Sequence, residues 1–287
     1  MNKSSAFLTN VQHGSLHDGP GVRTTYFFQG CNLHCAWCHN PETIPRHPKL
    51  MLYADKCIGC GLCKSVCNSE TECIECGKCT QVCPAAARVM SSREWTIDAM
   101  LSTALRDSAF YGKDGGVTCS GGEPMLQLDA LTDFLSVCKE NGLHTAVDTA
   151  ANVQWTDYER IIPFTDLFLV DYKLSDDYSH KKFTGVTRGL IQSNLKKFAA
   201  LEKEVWIRIP IIPCVNDNEA HINAAGLALS KIGFKGIVEL LPFHRLGQSK
   251  YDALRLDYSF SHTKPPSNEK MKYLASVLEA FELNVKK

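Results

Sequence analysis

Eleven of the 14 cysteines in this chain of 287 residues lie between Cys31 and Cys83, in one run of three and two runs of four. The first run, Cys31-x3-Cys35-x2-Cys38, offers three thiolates and no obvious fourth. Such a set holds three irons of a 4Fe-4S cluster, which normally takes four Cys, and leaves one iron open to an outside ligand. With His34 or His39 as a fourth donor it would make a structural zinc site instead. The other two runs, Cys57-x2-Cys60-x2-Cys63-x3-Cys67 and Cys73-x2-Cys76-x2-Cys79-x3-Cys83-Pro84, have bacterial ferredoxin spacing, in which the fourth Cys of each run ligates the other run's cluster. That crossing predicts Cys57, Cys60, Cys63 and Cys83 around one cluster, and Cys73, Cys76, Cys79 and Cys67 around a second. Asn68 in place of the usual Pro, with only five residues between Cys67 and Cys73, leaves room for an altered crossing. Paired zinc ribbons are the competing use of the same residues. A disulfide scaffold is disfavoured, because most of the chain has ordinary globular composition and almost no Cys. Cys119, Cys138 and Cys214 are scattered, and each is expected to be a small buried residue.

A third constellation, Gly115-Gly116-Val117-Thr118-Cys119-Ser120-Gly121-Gly122-Glu123-Pro124, joins consecutive glycines, which admit a ligand close to the backbone, to a carboxylate that could receive an ammonium group.

These residues need a frame. Runs rich in β-branched and aromatic residues, Thr24 to Phe28, Gly116 to Thr118, His144 to Val147, Leu167 to Val170, Val205 to Ile209 and Ile237 to Leu241, predict short buried strands. Between them, helical periodicity joins Met100, Leu101, Ala104 and Leu105; Leu128, Leu131, Leu135 and Cys138; Ile191, Leu195 and Phe198; and, near the end, Met271, Leu274, Leu278 and Phe281. Strand and helix in alternation predict an α/β protein of about six parallel βαβ units, closed as a doubly wound sheet or as a barrel or partial barrel. The Cys triplet and the Gly-Gly turn both follow predicted strands. In a (β/α) barrel that rim carries the active site. The block 52–90 breaks the rhythm, being rich in Cys and Gly and poor in large apolar residues, so it stays folded only through its metal centres. It is expected to be an insertion into a main domain formed by 1–51 and 91–287.

Composition removes other functions. With 31 Lys+Arg against 31 Asp+Glu the formal net charge is +0, which argues against a nucleic-acid binder. No stretch approaches the ~20 apolar residues of a membrane span, and the first ten residues lack a secretory signal. A soluble cytoplasmic protein is expected.

The C-x3-C-x2-C triplet with Trp37 before its last Cys, together with Gly121-Gly122-Glu123-Pro124, resembles the radical S-adenosylmethionine superfamily. Asp18-Gly19-Pro20-Gly21-Val22-Arg23 narrows the resemblance to activating enzymes of glycyl radical enzymes, of the pyruvate formate-lyase activase kind. Leu143-His144-Thr145-Ala146-Val147-Asp148-Thr149, Asp171-Tyr172-Lys173, Trp206-Ile207-Arg208 and Leu240-Leu241-Pro242-Phe243-His244-Arg245-Leu246-Gly247 agree with it, from about residue 7 to the C-terminus. The resemblance implies a partial (β/α)6 TIM-like barrel with an inserted bacterial-ferredoxin-like domain. It implies that Cys31, Cys35 and Cys38 hold the reactive cluster, whose open iron takes the amino and carboxylate groups of S-adenosylmethionine. Trp37, Cys38 and His39 would lie along that cofactor, Gly121, Gly122 and Glu123 at its methionyl amine, and His244 near its ribose. Within the D-x-K element of Asp171, Tyr172 and Lys173, the lysine would meet the carboxylate. Asp148, Thr149 and Asp171 resemble a monovalent-cation site. Ala150-Ala151 replaces the Asn-Gly of many relatives, and Cys214 a usual Gly before Asp217.

The implied activity is one-electron cleavage of S-adenosylmethionine to methionine and a 5′-deoxyadenosyl radical, which takes the α-hydrogen of a glycine in a partner glycyl radical enzyme. It calls for three 4Fe-4S clusters and a low-potential electron donor such as flavodoxin or ferredoxin, with the chain acting as a monomer. A radical enzyme for a small molecule would share the triplet. An electron-transfer protein would need only the ferredoxin-like block.

Overall fold

The computed structural model describes residues 4–67 and 73–286; the Asn68 departure lies outside the described residues. Among the described residues there are eleven strands: β1 (Ser5–Ser15), β2 (Arg23–Phe28), β3 (Leu50–Leu52), β4 (Arg88–Met90), β5 (Arg93–Thr96), β6 (Gly116–Gly121), β7 (Thr145–Thr149), β8 (Leu167–Asp171), β9 (Glu204–Ile211), β10 (Ile237–Pro242) and β11 (Asn284–Val285). The α-helices are α1 (Leu62–Ser65), α2 (Lys78–Gln81), α3 (Ile97–Asp107), α4 (Leu128–Glu140), α5 (Trp155–Ile161), α6 (Asp177–Thr184), α7 (Gly189–Ala199), α8 (Glu219–Lys231), α9 (Gln248–Leu254) and α10 (Asn268–Glu279).

Nine strands form one sheet in the order β11-β10-β9-β8-β7-β6-β2-β1-β5. From β2 to β11 every pair is parallel, while β1 is antiparallel to both β2 and β5. The parallel strands follow chain order without reversal, whereas a doubly wound sheet reverses at its switch point. All six strands expected from sequence are present. Several helices begin at short polar caps that accept an orphan N–H: Thr96 for α3, Asp176 for α6, Asn218 for α8 and Ser267 for α10.

Alternation along each strand divides the residues between two faces. One face packs Val117, Val147, Phe168, Val170 and Ile207 under Leu131, Phe134, Tyr158, Phe198 and Ile222 of the helices. Cys119 and Cys138 are fully buried in this core, as expected. The opposite face carries a small cluster of Ala146, Leu167, Leu169 and Trp206. Toward the carboxyl ends of the strands it turns polar, with Ser120, Asp148, Asp171 and Arg208. The loop before β2 closes the other end of the sheet. Gly21 sits there at φ +66°, where an added Cβ would lie 2.5 Å from the Gly115 nitrogen. Arg23, wholly buried, donates to Thr118 Oγ1 and to the Val117 carbonyl, each at 2.6 Å.

The Cys-rich block leaves the main sheet at a two-stranded neck, where β3 and β4 pair antiparallel with Leu50 opposite Met90 and Leu52 opposite Arg88. Inside it, Gly61 (φ 76°, ψ −6°) starts α1 and Gly77 (φ 73°, ψ −5°) starts α2. Each glycine follows the second Cys of its run, so the two runs fold as near copies.

Candidate active site

Cys31, Cys35 and Cys38 follow β2 in a loop tied at several points. The Cys31 N–H donates to the Ile44 carbonyl, the His34 N–H to Thr184 and the Ala36 N–H to Phe183, at 2.8 to 3.1 Å. All three cysteines line one cavity of about 100 Å³ with Gly121, Gly122, Asp148, Thr149, Asp171 and Lys173. Burial pushes the Cys31 thiol up to about 12 and raises Cys35 and Cys38 as well. A thiol of this kind gives up its proton to a bound metal rather than to water. Three partly buried thiols on one wall, with glycine backbone and a lysine opposite, fit a cluster that takes three protein ligands and has a substrate beside it. Among the described residues no three Cys, His, Asp or Glu side chains converge on a single metal ion; the cysteines border cavities instead.

Gly121 and Gly122 reach this wall because nothing larger fits. A Cβ on Gly121 would lie 2.3 Å from the Phe28 nitrogen, and one on Gly122 would lie 2.1 Å from the Gly30 oxygen. Glu123 departs from expectation. Its side chain is fully buried and turned to the helix face, where its carboxylate accepts from the Thr149 hydroxyl and the Ala150 N–H at 2.9 Å and from the Met125 N–H at 3.3 Å. Burial raises its pKa to about 7. It ties the turn after β6 to the end of β7.

Asp171 and Lys173 project into the cavity and form an ion pair at 2.6 Å. Burial alone would lower the lysine's pKa, but Asp171 and then Cys35 more than reverse this and keep it charged. Tyr172, expected beside the cofactor, is a correction. As the residue between two cavity-facing neighbours it points the other way, with its hydroxyl accepting from Arg188 at 3.1 Å and its ring in the helix-side core.

Asp148 also faces the cavity. Its Oδ2 accepts from Ser120 at 2.8 Å and lies 3.3 Å from Arg208, while its Oδ1 is buried without a partner. Burial raises its pKa to about 6 against the pull of Arg208. Of the three residues expected at a monovalent cation, Asp148 and Asp171 share the cavity, but the Thr149 hydroxyl is turned to Glu123 and Tyr158. Arg208 was not anticipated as a site residue. Its signal was available, as the only charge within Val205 to Ile209, and it reaches Glu239 at 3.6 Å as well as Asp148.

Beside the cavity, Trp37 is buried between Phe183 and Phe260, with ring centres 6.0 and 6.3 Å away. His39 stacks on His244 at 3.7 Å, which joins the Cys loop to the loop after β10. Burial, then His244, lowers the His39 pKa to about 4. Cys214 corrects another expectation, being exposed rather than buried. It holds φ +64°, and its N–H donates to Asp217 Oδ1 at 2.9 Å. That turn needs the left-handed backbone a glycine would supply. Ala151, in the other position expected to carry Gly, likewise holds φ +58°.

In the insertion the cysteines divide between two cavities. Cys57, Cys60, Cys63 and Cys83 border one of about 30 Å³. Cys67, Cys73, Cys76 and Cys79 border another of about 400 Å³, which Cys63 also touches.

The sheet, wound in chain order, thus carries three thiols and a lysine at the carboxyl ends of its strands. A radical SAM methyltransferase from Sphaerobacter thermophilus shares the fold, with TM-score 0.58 at 15% identity over 92% of this chain and 65% of that one. A domain of pyruvate-formate lyase-activating enzyme from Bacteroides vulgatus superposes with TM-score 0.50 at 29% identity, over 60% of this chain and 98% of that one. A family model described as a 4Fe-4S single cluster domain matches residues 17–189. The trans-4-hydroxy-L-proline dehydratase activating enzyme of Clostridioides difficile is 36% identical over 97% of this chain and 98% of its own length. The pyruvate formate-lyase-activating enzyme of Clostridium pasteurianum is 34% identical over 95% and 96%. The chain belongs to the glycyl radical enzyme activating enzymes. Among the described residues no helix is long and apolar enough to cross a membrane.

Proposed function

We propose that this chain activates a partner glycyl radical enzyme, and that Cys31, Cys35 and Cys38 hold the 4Fe-4S cluster that does so. When bound and reduced by one electron, the cluster supplies the cleavage of S-adenosylmethionine to methionine and a 5′-deoxyadenosyl radical, which takes the α-hydrogen of a glycine in the partner. The observation that carries this is the single cavity in which the three thiols meet Gly121, Gly122, Asp171 and Lys173.

The chain's own groups bind and orient. Lys173 offers its ammonium to the methionyl carboxylate, exchanging part of its pairing with Asp171 for it. Gly121 and Gly122 present backbone where a side chain would block approach. Asp148, oriented by Ser120 and Arg208, has a free carboxylate oxygen for an ammonium group or a monovalent cation. Trp37 and the His39–His244 stack border the cofactor and keep water from the reacting bond. The cavity is smaller than the roughly 300 Å³ of an ordinary ligand site, so loading widens it.

The main domain, 1–51 and 91–287, is read as a partial (β/α)6 barrel, supported by the unreversed strand order. The insertion, 52–90, is read as a ferredoxin-like domain with two further 4Fe-4S clusters. Support comes from its duplicated turns and from cavities that divide the cysteines as the crossed assignment does. Electrons would come from a low-potential donor such as flavodoxin or ferredoxin. The setting is cytoplasmic and anaerobic, the chain acts as a monomer, and neither nucleic acid nor membrane takes part. A small-molecule substrate is not favoured, because the relatives cited are named for activating other enzymes.

The test is anaerobic incubation of the reconstituted chain with S-adenosylmethionine, a reductant and glycyl radical enzymes encoded beside it. A doublet electron-spin signal on the partner is expected. No signal with any of them, from protein carrying its full iron, would overturn the reading.

A further inference from the structure

The insertion holds a cation placed between its two cysteine cavities. After Cys83 the chain turns at Ala86, which holds φ +48°, and enters β4 with Arg88 opposite Leu52 in the neck. That placement sets Arg88 on the same cavity wall as Cys63 and Cys79, which belong to different runs. Arg88 borders both the smaller cavity of Cys57, Cys60 and Cys83 and the larger one of Cys73, Cys76 and Cys79, and among the described residues it is the one charged side chain that borders both.

Chemistry gives such a residue a task. A guanidinium stays protonated at any working pH and carries five N–H donors in a planar fork, so it reaches two sulfurs at once without losing its charge. Reducing a 4Fe-4S cluster adds one negative charge. A fixed cation nearby stabilises the reduced form over the oxidised one, and hydrogen bonds to ligand sulfur act in the same direction. Resting on the reading that the insertion carries two clusters, we propose that Arg88 is a positioning residue that raises the reduction potentials of both and keeps them matched, so that an electron on one lies at nearly the same free energy on the other. Lys64, Lys78 and Arg255 border only the larger cavity and lack this shared influence.

The test uses the full chain with Cys31, Cys35 and Cys38 replaced by Ala, so that only the insertion's clusters contribute to the spectrum. Iron and acid-labile sulfide are assayed first, and each midpoint potential is then read by redox titration followed by electron-spin resonance. With Arg88→Gln, iron is retained and both midpoints fall. The expected change is about tenfold in the oxidised-to-reduced ratio at fixed potential, ~59 mV for a one-electron couple. Arg255→Gln moves at most one of them. Two midpoints unchanged in Arg88→Gln, or only one moved, would overturn the proposal. Should Arg88→Gln lose iron, Arg88→Met carries the test: it likewise removes the charge, so both midpoints fall, and two unchanged midpoints refute it. If the parent protein holds iron for fewer than two clusters, the reading beneath the proposal fails, whatever Arg88 does.

Discussion

The Thr149 hydroxyl lies 2.9 Å from the Glu123 carboxylate, buried with it beside the Tyr158 hydroxyl. This contact joins the ends of β6 and β7 and fixes the Glu123 side chain. Its pKa, raised by burial from 4.5 to about 7, gives stability a definite pH dependence. The folded state holds the proton more tightly than the unfolded one, so the contribution is complete below about 4.5 and is lost as pH rises through about 7. The shift corresponds to roughly 3 kcal/mol. Urea midpoints of wild type should therefore decline from pH 5 to pH 8 more steeply than those of Glu123→Gln. Parallel declines would show that this carboxyl does not titrate as described.

Lys173→Met leaves the partly buried Asp171 without its cation and removes the expected partner of the methionyl carboxylate. Truncating one member of such a pair costs about 2–5 kcal/mol. Calorimetry on reconstituted protein should show S-adenosylmethionine binding at least tenfold weaker with iron content unchanged. Wild-type affinity would remove Lys173 from the site.

Arg208→Met strands Asp148, whose only cation among the described residues is Arg208, whereas Glu239 keeps Lys286 at 2.6 Å. Loss of the central partner of a buried charge group costs about 3–5 kcal/mol. Asp148→Asn in the same background should recover part of that loss. Denaturation curves of the two single variants and the double variant decide the point; strictly additive losses would mean that Arg208 and Asp148 do not interact.

Cys214 and Cys119 should differ in reactivity as they do in burial. Iodoacetamide applied to the native apoprotein should label Cys214 and spare Cys119 and Cys138. Cys214→Gly relieves a left-handed backbone that costs an ordinary residue about 1–2 kcal/mol, and it should raise the denaturation midpoint. A lower midpoint would show that the thiol makes a contact worth more than the strain.

Much of the frame was legible because β2 and β6 to β9 are short apolar runs buried along most of their length, a pattern that few other structures produce, and β10 is apolar although only Val238 is buried. β1 escaped notice for the opposite reason: most of its second half, from Thr9 onward, is exposed or half-exposed and its alternation fails there. For the site, motif order located the right segments but could not say which face each side chain takes. Glu123 was placed at the methionyl amine for its charge and by the motif that resembles the family, and Tyr172 beside the cofactor as part of the D-x-K element. The alternation between Asp171 and Lys173 already placed Tyr172 on the other side. Nothing comparable announced the turn that points the Glu123 carboxylate at Thr149 and the Ala150 N–H. Arg208 and the φ +64° of Cys214 depend on partners far along the chain or on backbone shape, neither of which spacing records.

The neck of β3 and β4 has an evolutionary corollary. Because Leu50 stands opposite Met90, the two ends of the cysteine-rich segment lie about 5 Å apart, one strand spacing. A gene could lose that segment, or gain it, by a single in-frame event bridged with a tight hairpin, and the remaining strands would keep their places. On the reading of 52–90 as an insertion, such a loss would leave the thiol triplet and Lys173 in place.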